Sequence, residues 1–239
     1  MNISVDQGNT LTKIALFEGK TLLQTEILKD EAIEDLINRL QPKHCIISSV
    51  RKNNRINPLL IEEKIHTMVF DHTTCIPIAN LYGTPETLGL DRLASVIGAR
   101  QFQKEGNVLV IDCGTCITYD FINQNNEYLG GSISPGLNMR LKALNNFTSG
   151  LPLIEIEDNA ELIGNSTRTA ILSGVINGVI CEVEGVIAKY KSLFNGLSVF
   201  LCGGDSNYFE SKIRGTIFVM PELVLYGLNK ILLYNVQTN

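Results

Sequence analysis

The chain opens with Asn2-Ile3-Ser4-Val5-Asp6-Gln7-Gly8-Asn9-Thr10, and the pattern returns in its second half as Val108-Leu109-Val110-Ile111-Asp112-Cys113-Gly114-Thr115. In both copies an apolar, strand-forming run ends in an aspartate, and a glycine follows two positions later. Aligning the two aspartates also aligns the glycines and the threonine that lies four positions after each of them. A recurrence at such a distance is typical of a duplicated domain rather than of a solenoid repeat.

Each copy continues as a second strand, a polar turn and a third strand, which predicts two similar α/β halves. In the first half these strands are predicted over 11–17 and 21–28. The polar stretch Lys104-Glu105-Gly106-Asn107 separates the halves, so we expect an N-terminal domain over 1–105 and a C-terminal domain over 106–239.

Further elements follow from local patterns. Apolar residues at helical spacing predict a helix over 33–40, with Asp30 as its N-cap. A buried strand is expected over 45–50. In the second half, a longer apolar pattern predicts a helix from about Arg168 to Lys191, apolar enough to lie at an internal or intersubunit interface.

The overall composition excludes several classes of protein. Of the 239 residues 44% are apolar, and the formal net charge is −5. This favours an ordinary globular protein and argues against a nucleic-acid binder with a broad basic surface. No basic segment precedes an apolar run at the start, and the longest uncharged stretch, Thr169 to Cys181, is too short and polar to span a bilayer. We therefore expect a soluble, cytoplasmic protein with no membrane partner.

The cysteines and histidines offer little for nucleophilic or metal chemistry. Cys113 and Cys116 form a C-x-x-C pattern, but the alternating residues that follow predict a strand rather than the helix that a redox pair needs. No second pair completes a zinc site, so two small side chains in a tight turn are the favoured interpretation. The three histidines lack metal-ligand spacing, and neither a Gly-x-Ser-x-Gly elbow nor a P-loop is present.

The two Asp-x-Gly loops suggest nucleotide binding. A glycine turn between strands can point backbone N–H groups at phosphate, and an aspartate beside it can hold a cation that bridges phosphate oxygens. One such turn is common as plain structure. Two matching copies favour a pair of loops, Asp6 to Lys13 and Asp112 to Thr118, that clamp a nucleoside triphosphate in an interdomain cleft.

Two other segments allow two interpretations each. Asp91 and Arg92 stand just before an apolar helical pattern. Asp91 is either a carboxylate that stabilises the start of a helix or a general base that takes a proton from an attacking hydroxyl, with Arg92 binding an anionic substrate. The Gly203-Gly204-Asp205 turn after a buried strand either brings backbone close to a nucleoside or simply connects strand to loop.

Taken together, these motifs resemble those of type III pantothenate kinases in order and spacing, over nearly the whole chain. The matching stretches are 6–10 (D-x-G-N-T), 84–92 (T-P-x-T-L-G-x-D-R), 112–118 (D-x-G-T-x-x-T), 130–136 (G-G-x-I-x-P-G), 164–167 (G-x-x-T) and 203–205. The element at 84–92 is quite specific, whereas the D-x-G loops belong to the wider actin-like superfamily of sugar and acetate kinases. The chain departs from the expected pattern in the two cysteines that flank Gly114-Thr115.

The resemblance implies two duplicated actin-like (ribonuclease H-like) domains with mixed central sheets flanked by helices, and a kinase that moves the γ-phosphoryl group of ATP onto the primary hydroxyl of pantothenate, the first step toward coenzyme A. It implies Mg²⁺ with the nucleotide, a monovalent cation (K⁺ or NH₄⁺) at Asp112, catalysis by Asp91 and a homodimer. The residues implied to bind ATP are Asp6, Gln7, Gly8, Asn9, Thr10, Leu11, Thr12, Lys13 and Thr115. Those implied to surround pantothenate are Tyr82, Gly89, Leu90, Asp91, Arg92 and Thr167.

Two alternatives stay open at this point. A protein of the same fold could phosphorylate another small hydroxyl compound or hydrolyse a phosphoanhydride, or it could be a non-catalytic nucleotide-binding regulator. The intact Asp91-Arg92 pair favours catalysis, because a regulator needs no base.

Overall fold

The computed structural model describes residues 1–8, 11–29, 33–49 and 65–238. The chain forms two compact units that are interleaved in sequence. The first unit is made of Met1–Glu105, Ile122–Gly130 and Glu222–Asn239, and the second of Gly106–Phe121 and Gly131–Pro221. The division into domains 1–105 and 106–239 stays a prediction.

The helices and strands predicted from the sequence are present, together with several that the sequence did not indicate. They are β1 (Asn2–Gln7), β2 (Thr12–Glu18), β3 (Thr21–Leu28), α1 (Ile33–Leu40), β4 (His44–Ser49), β5 (His66–Val69), β6 (Ala79–Asn80), α2 (Leu90–Phe102), β7 (Val108–Cys113), β8 (Cys116–Ile122), β9 (Glu127–Pro135), α3 (Leu137–Asn146), α4 (Thr167–Leu193), β10 (Ser198–Cys202), α5 (Ser206–Glu210), β11 (Phe218–Val219) and α6 (Leu223–Thr238). The predicted cap Asp30 and the predicted strand residue Val50 lie outside the described residues.

The sheet of the first unit has the order β3-β2-β1-β4-β5. Strand β1 pairs antiparallel with β2 and parallel with β4, so the sheet is mixed, as predicted. Its side chains alternate between two covered faces. Ile3 and Val5 point into a core with Ile33 and Ile37 of α1, whereas Ala15 lies on the other face in a cluster with Leu225 of α6.

The second unit repeats this arrangement. The strand order β9-β8-β7-β10-β11 in its sheet matches the order β3-β2-β1-β4-β5 of the first unit. Strand β10 is parallel to both β7 and β11. The predicted duplication of an α/β half is therefore confirmed, and the two aspartate loops follow equivalent strands.

Helices α2 and α6 of the first unit pack with their backbones in direct contact. A Cβ atom on Gly227 would lie 1.7 Å from the carbonyl oxygen of Ala94, and one on Gly98 would lie 2.1 Å from that of Leu223. Real Cβ atoms do not approach this closely, so the two glycines permit the crossing. The contact fixes α2, the helix that carries Asp91 in its first turn.

Helix α4 is the main helix of the second unit and confirms the long helix predicted there. Its buried side chains, among them Val179 and Val183, pack into the core formed with β7, β8 and β10. It is the one helix of the described residues that is long and apolar enough to cross a membrane by length and composition. Because one of its faces is buried in a core that includes Leu109 and Leu201, we interpret it as a core helix.

Candidate active site

The first aspartate loop joins β1 to β2. Asp6 stands one residue before the end of β1, with Lys13 of β2 and Ser48 of β4 as its direct neighbours across the sheet. Neighbours in register share a face, so Lys13 and Ser48 point to the same side as Asp6. The backbone N–H of Gly8 donates to the carbonyl oxygen of Leu11 at 3.1 Å, which closes the turn.

The other predicted nucleotide ligands in this loop differ in accessibility. Leu11 is about half exposed, whereas Thr12 is buried. The side chain of Gln7 is also fully buried. Asn9 and Thr10 lie outside the described residues.

Asp91 lies in the first turn of α2, directly after a single 3-10 turn over Pro85–Thr87. Its Oδ1 accepts a hydrogen bond from the backbone N–H of Arg92 at 2.9 Å. A Cβ atom on Gly89 would lie 2.5 Å from that same oxygen. The missing side chain of Gly89 therefore leaves the space in which the carboxylate of Asp91 folds back over the start of the helix.

Both interpretations of Asp91 are compatible with this geometry. The carboxylate stabilises an N-terminal amide of α2, as an acidic residue in a first turn does. It is also only partly buried, so it can accept a proton from a bound hydroxyl. The bond to Arg92 fixes its orientation in either case.

Tyr82 and Arg92 lie together in the first unit. The guanidinium carbon of Arg92 is 5.8 Å from the centre of the Tyr82 ring, within the range of a cation–π contact. The backbone of Gly130, with φ +99°, also packs against the Tyr82 ring, since a Cβ on Gly130 would lie 2.9 Å from Cδ2 of that ring. Arg92 is only 6% exposed, so the ring and the helix hold its side chain in place. The structure thus brings together Tyr82, Gly89, Leu90, Asp91 and Arg92, all predicted around the acceptor substrate.

The second aspartate loop joins β7 to β8 and is enclosed by glycine backbone. The N–H of Gly114 donates to the carbonyl oxygen of Cys116 at 2.9 Å, which gives a turn like that at Gly8. Gly203 has φ +90°, and a Cβ there would lie 2.3 Å from Oδ1 of Asp112. The Asp112 carboxylate therefore lies directly against backbone that only glycine can supply.

These surroundings fit a cation with oxygen ligands. Asp112 offers carboxylate oxygens, and the neighbouring turns offer carbonyl oxygens. Within the described ranges, no group of three histidine, cysteine, aspartate or glutamate side chains is placed to hold a metal ion. A cation at Asp112 would thus take its other ligands from carbonyl groups, water or a nucleotide, which suits a monovalent ion or nucleotide-bound Mg²⁺ and does not suit zinc.

The cysteines of the C-x-x-C pattern do not form a reactive pair. Cys113 ends a strand and is fully buried. Burial raises the pKa of its thiol far above the ordinary value, and the nearby carboxylates of Asp112, Asp205 and Glu182 raise it further. All six cysteines are free thiols. The interpretation as small side chains in a tight turn is the one that the structure supports.

Thr115 and Thr167 are both accessible, and both lie in the second unit. Thr115 is exposed in the turn after Asp112, and its carbonyl oxygen accepts the N–H of Gly136 at 3.1 Å. Thr167 is the first residue of α4, after the capping box formed by Ser166 and Thr169. Their hydroxyl groups are therefore available to ligands.

Two features of the second unit, the burial of the Asp205 carboxyl and the partner of Arg140, were not indicated by the sequence. Asp205 follows the double glycine, and burial raises the pKa of its carboxyl. Arg140 on α3 forms an ion pair with Glu182 on α4. The only signal for the latter was a carboxylate in an otherwise apolar turn, Val179 to Val183.

Comparison with known sequences gives a single answer. The family model described as type III pantothenate kinase matches residues 2–189. A type III pantothenate kinase from Flavobacterium johnsoniae is 39% identical over 245 residues, with 100% of each chain covered. Those from Azobacteroides pseudotrichonymphae and Bacteroides fragilis are 43% and 41% identical, with at least 97% of each chain covered.

Solved structures support the fold. A Campylobacter jejuni protein assigned to the Baf family of transcriptional activators aligns with a TM-score of 0.65 and 20% identity, covering 98% of this chain and 99% of the other. The ROK hexokinase from Thermus thermophilus aligns with a TM-score of 0.56 and 14% identity, covering 99% of both chains. At these identities the similarity shows the fold alone, which this chain shares with the hexokinase.

Proposed function

The chain belongs to the type III pantothenate kinase family and is an ATP-dependent pantothenate kinase, and from this premise we propose a role for the residues of each compact unit. The reaction moves the γ-phosphoryl group of ATP to the primary hydroxyl of pantothenate. Such a transfer needs alignment of the hydroxyl, removal of its proton and neutralisation of phosphate charge, with little covalent chemistry from the protein.

Asp91 is the general base. The observation that carries this role is the fixed orientation of a partly buried carboxylate, which the Arg92 amide and the space beside Gly89 hold at the start of α2. A carboxylate that the Arg92 amide orients in this way can accept the proton of the substrate hydroxyl. The residues of the first unit that we propose to bind pantothenate are Tyr82, Gly89, Leu90 and Arg92. In the second unit we propose the exposed Thr167 as a pantothenate ligand.

The loop from Asp6 to Lys13 and the exposed Thr115 bind ATP. In the first loop Lys13 offers a positive charge on the same face as Asp6, and backbone N–H groups of the turn serve as phosphate donors. Asp112 holds a monovalent cation, K⁺ or NH₄⁺, and Mg²⁺ accompanies the nucleotide. When bound, these cations neutralise phosphate oxygens.

Substituting alanine for Gly89 tests the catalytic role of Asp91 without changing the fold. The new Cβ would fall 2.5 Å from Oδ1 of Asp91, so the flexible carboxylate must move while the backbone stays. We expect kcat to fall about tenfold or more, because a displaced catalytic group loses alignment, and the melting temperature to change little. Steady-state kinetics beside thermal unfolding measures both quantities.

The matched control for this variant is Gly83→Ala, six residues before Gly89 in the same segment, where a Cβ meets nothing within 4 Å. It should leave kcat near the wild-type value. Equal losses in both variants, or none in Gly89→Ala, would remove the observation that carries the role of Asp91.

We also propose a homodimer formed through α4. Gly174, Gly178, Cys181 and Gly185 fall on one face of the helix, and a Cβ at any of the three glycines meets nothing within 4 Å. Large apolar side chains lie exposed in the same unit: Phe147, Leu162, Ile163 and Leu193. A second copy of α4 is the partner that these small residues would admit at close range.

Sedimentation equilibrium tests the dimer and should give twice the chain mass at micromolar concentration. Mild oxidation should then join two chains through the exposed Cys181, with Cys75→Ser as a neutral control and Cys181→Ser abolishing the cross-link. A monomer at these concentrations would refute the proposal.

Six free thiols also agree with a reducing compartment, and we propose that this soluble enzyme works in the cytoplasm.

A further inference from the structure

Glu182 is the centre of a hydrogen-bond network in the second unit. Its Oε1 accepts hydrogen bonds from the Tyr119 hydroxyl at 2.9 Å and from the Ser134 hydroxyl at 2.5 Å. Its Oε2 accepts a hydrogen bond from the Arg140 guanidinium, with which it forms an ion pair. Three elements, β8, β9 and α3, are thereby tied to one carboxylate on α4.

The carboxylate is held in its charged form. Burial alone would raise the pKa of Glu182, but the hydrogen bonds from Ser134, Arg140 and Tyr119 outweigh it and keep the pKa below the ordinary value. Its side chain and that of Arg140 are 28% and 23% exposed. Such a partly buried, charge-assisted pair is stronger than an ion pair on the open surface.

Arg140 transmits this anchoring to the backbone of β9. Its Nε donates to the carbonyl oxygen of Pro135 at 2.8 Å, and its Nη2 donates to the Ser134 hydroxyl at 2.9 Å. The guanidinium therefore bridges Glu182 to the last two residues of the strand. The planar donor group of arginine suits this fixed, several-point contact.

The next residue, Gly136, contacts the second aspartate loop. Its N–H donates to the carbonyl oxygen of Thr115 at 3.1 Å. A Cβ on Gly136 would lie 2.2 Å from the carbonyl oxygen of Gly114 and 2.6 Å from that of Thr115. The two backbone segments are thus in full contact, so any shift of residues 134–136 moves the turn at Thr115.

We propose that Glu182 is a positioning residue for ATP, which fixes the Gly114-Thr115 turn through Arg140 and Gly136. The inference rests on the proposed role of Thr115 in nucleotide binding. The helix supplies a rigid reference, because the neighbouring side chains Val179 and Val183 are fully buried in the core. Removing the negative charge detaches the Arg140 guanidinium from α4, so Arg140 no longer holds Ser134 and Pro135 in a fixed position and the turn loosens.

The test is Glu182→Gln, which keeps the size of the side chain and removes its charge. We expect the Kd and KM for ATP to rise about tenfold, the lower end of the range for groups that act through another residue. The KM for pantothenate should stay within about twofold of the wild-type value, since the loop contacts only the nucleotide. Titration with a non-hydrolysable ATP analogue gives the Kd without turnover.

Three further variants separate positioning from general stability. Glu184→Gln removes an equal charge from the same helix and should leave ATP affinity unchanged. The Glu184 carboxylate contacts Arg214, whose backbone N–H donates to it at 2.9 Å and whose Nε lies 3.8 Å away. Tyr119→Phe deletes one partly buried hydrogen bond to Glu182 but leaves Arg140 in place, so it should lower stability with little effect on ATP affinity. Arg140→Gln should reproduce the ATP defect, and the double variant should be no worse than either single one.

The outcomes are distinct. Unchanged ATP affinity in Glu182→Gln and Arg140→Gln, or an equal defect in Glu184→Gln, overturns the proposal. If Glu182→Gln fails to fold, Arg140→Gln decides alone. If Thr115→Ala leaves ATP affinity unchanged, the proposed role of Thr115 fails, and with it the route from Glu182 to the nucleotide. If the wild-type protein binds ATP but shows no pantothenate-dependent turnover, the assigned activity is contradicted. The dissociation constants of the variants for ATP still test the positioning role of Glu182 in that case.

Discussion

Asp91→Asn is expected to lower kcat at least about a hundredfold, the usual scale for the loss of a general base. Asparagine keeps the size of the side chain and can still accept the hydrogen bond from the Arg92 amide, so the start of α2 should be preserved. Because Asp91 is proposed to act on the pantothenate hydroxyl and not on the nucleotide, the Kd for ATP should be unchanged. Initial rates of ADP formation and nucleotide titration measure the two quantities.

The matched control for Asp91→Asn is Glu86→Gln, which removes an exposed carboxylate five residues earlier in the same segment. It should keep the wild-type rate, which excludes a general effect of charge. Near-normal turnover of Asp91→Asn would instead assign Asp91 to helix stabilisation alone.

Gly203→Ala is expected to have the second large effect, on ATP affinity and on the response to potassium. The new Cβ would lie 2.3 Å from Oδ1 of Asp112 and 2.4 Å from the carbonyl oxygen of Cys113, at φ +90°. Backbone cannot yield as a side chain does, so the loop must shift and the Asp112 carboxylate with it. We expect the Kd for ATP to rise tenfold or more, the stability to fall by about 1–3 kcal/mol, and activation by K⁺ over Na⁺ to be lost.

The control for Gly203→Ala is its neighbour Gly204→Ala, where a Cβ meets nothing within 4 Å. This variant should fold with nearly wild-type stability and retain the preference of the wild-type enzyme for K⁺ over Na⁺. A wild-type enzyme that is indifferent to the monovalent cation would count against the cation at Asp112, whatever the variants do.

Much of the fold follows from local sequence. Strand β3 begins and ends at the predicted residues, and α4 extends one residue beyond the predicted start and two beyond the predicted end. The duplication was visible because two loops, at Asp6 and Asp112, share residue types at the same spacing. Periodicity and turn residues report backbone conformation, so these features need no knowledge of distant contacts.

The parts of the site that the sequence did not reveal depend on contacts across elements. Glu182 and Arg140 are 42 residues apart, and no pattern in either helix indicates the other. The reason for Gly89 appears only when the carboxylate of Asp91 is seen in the space that a side chain would fill. The roles of Gln7 and of the other predicted ATP ligands stay predictions, because they depend on a bound nucleotide.

The most direct test of the account is the rate of ADP formation by the wild-type protein with MgATP and potassium, measured with and without pantothenate. We predict turnover that requires pantothenate and yields one phosphorylated pantothenate for each ADP. ADP release at the same rate without pantothenate, or nucleotide binding with no turnover, would contradict it.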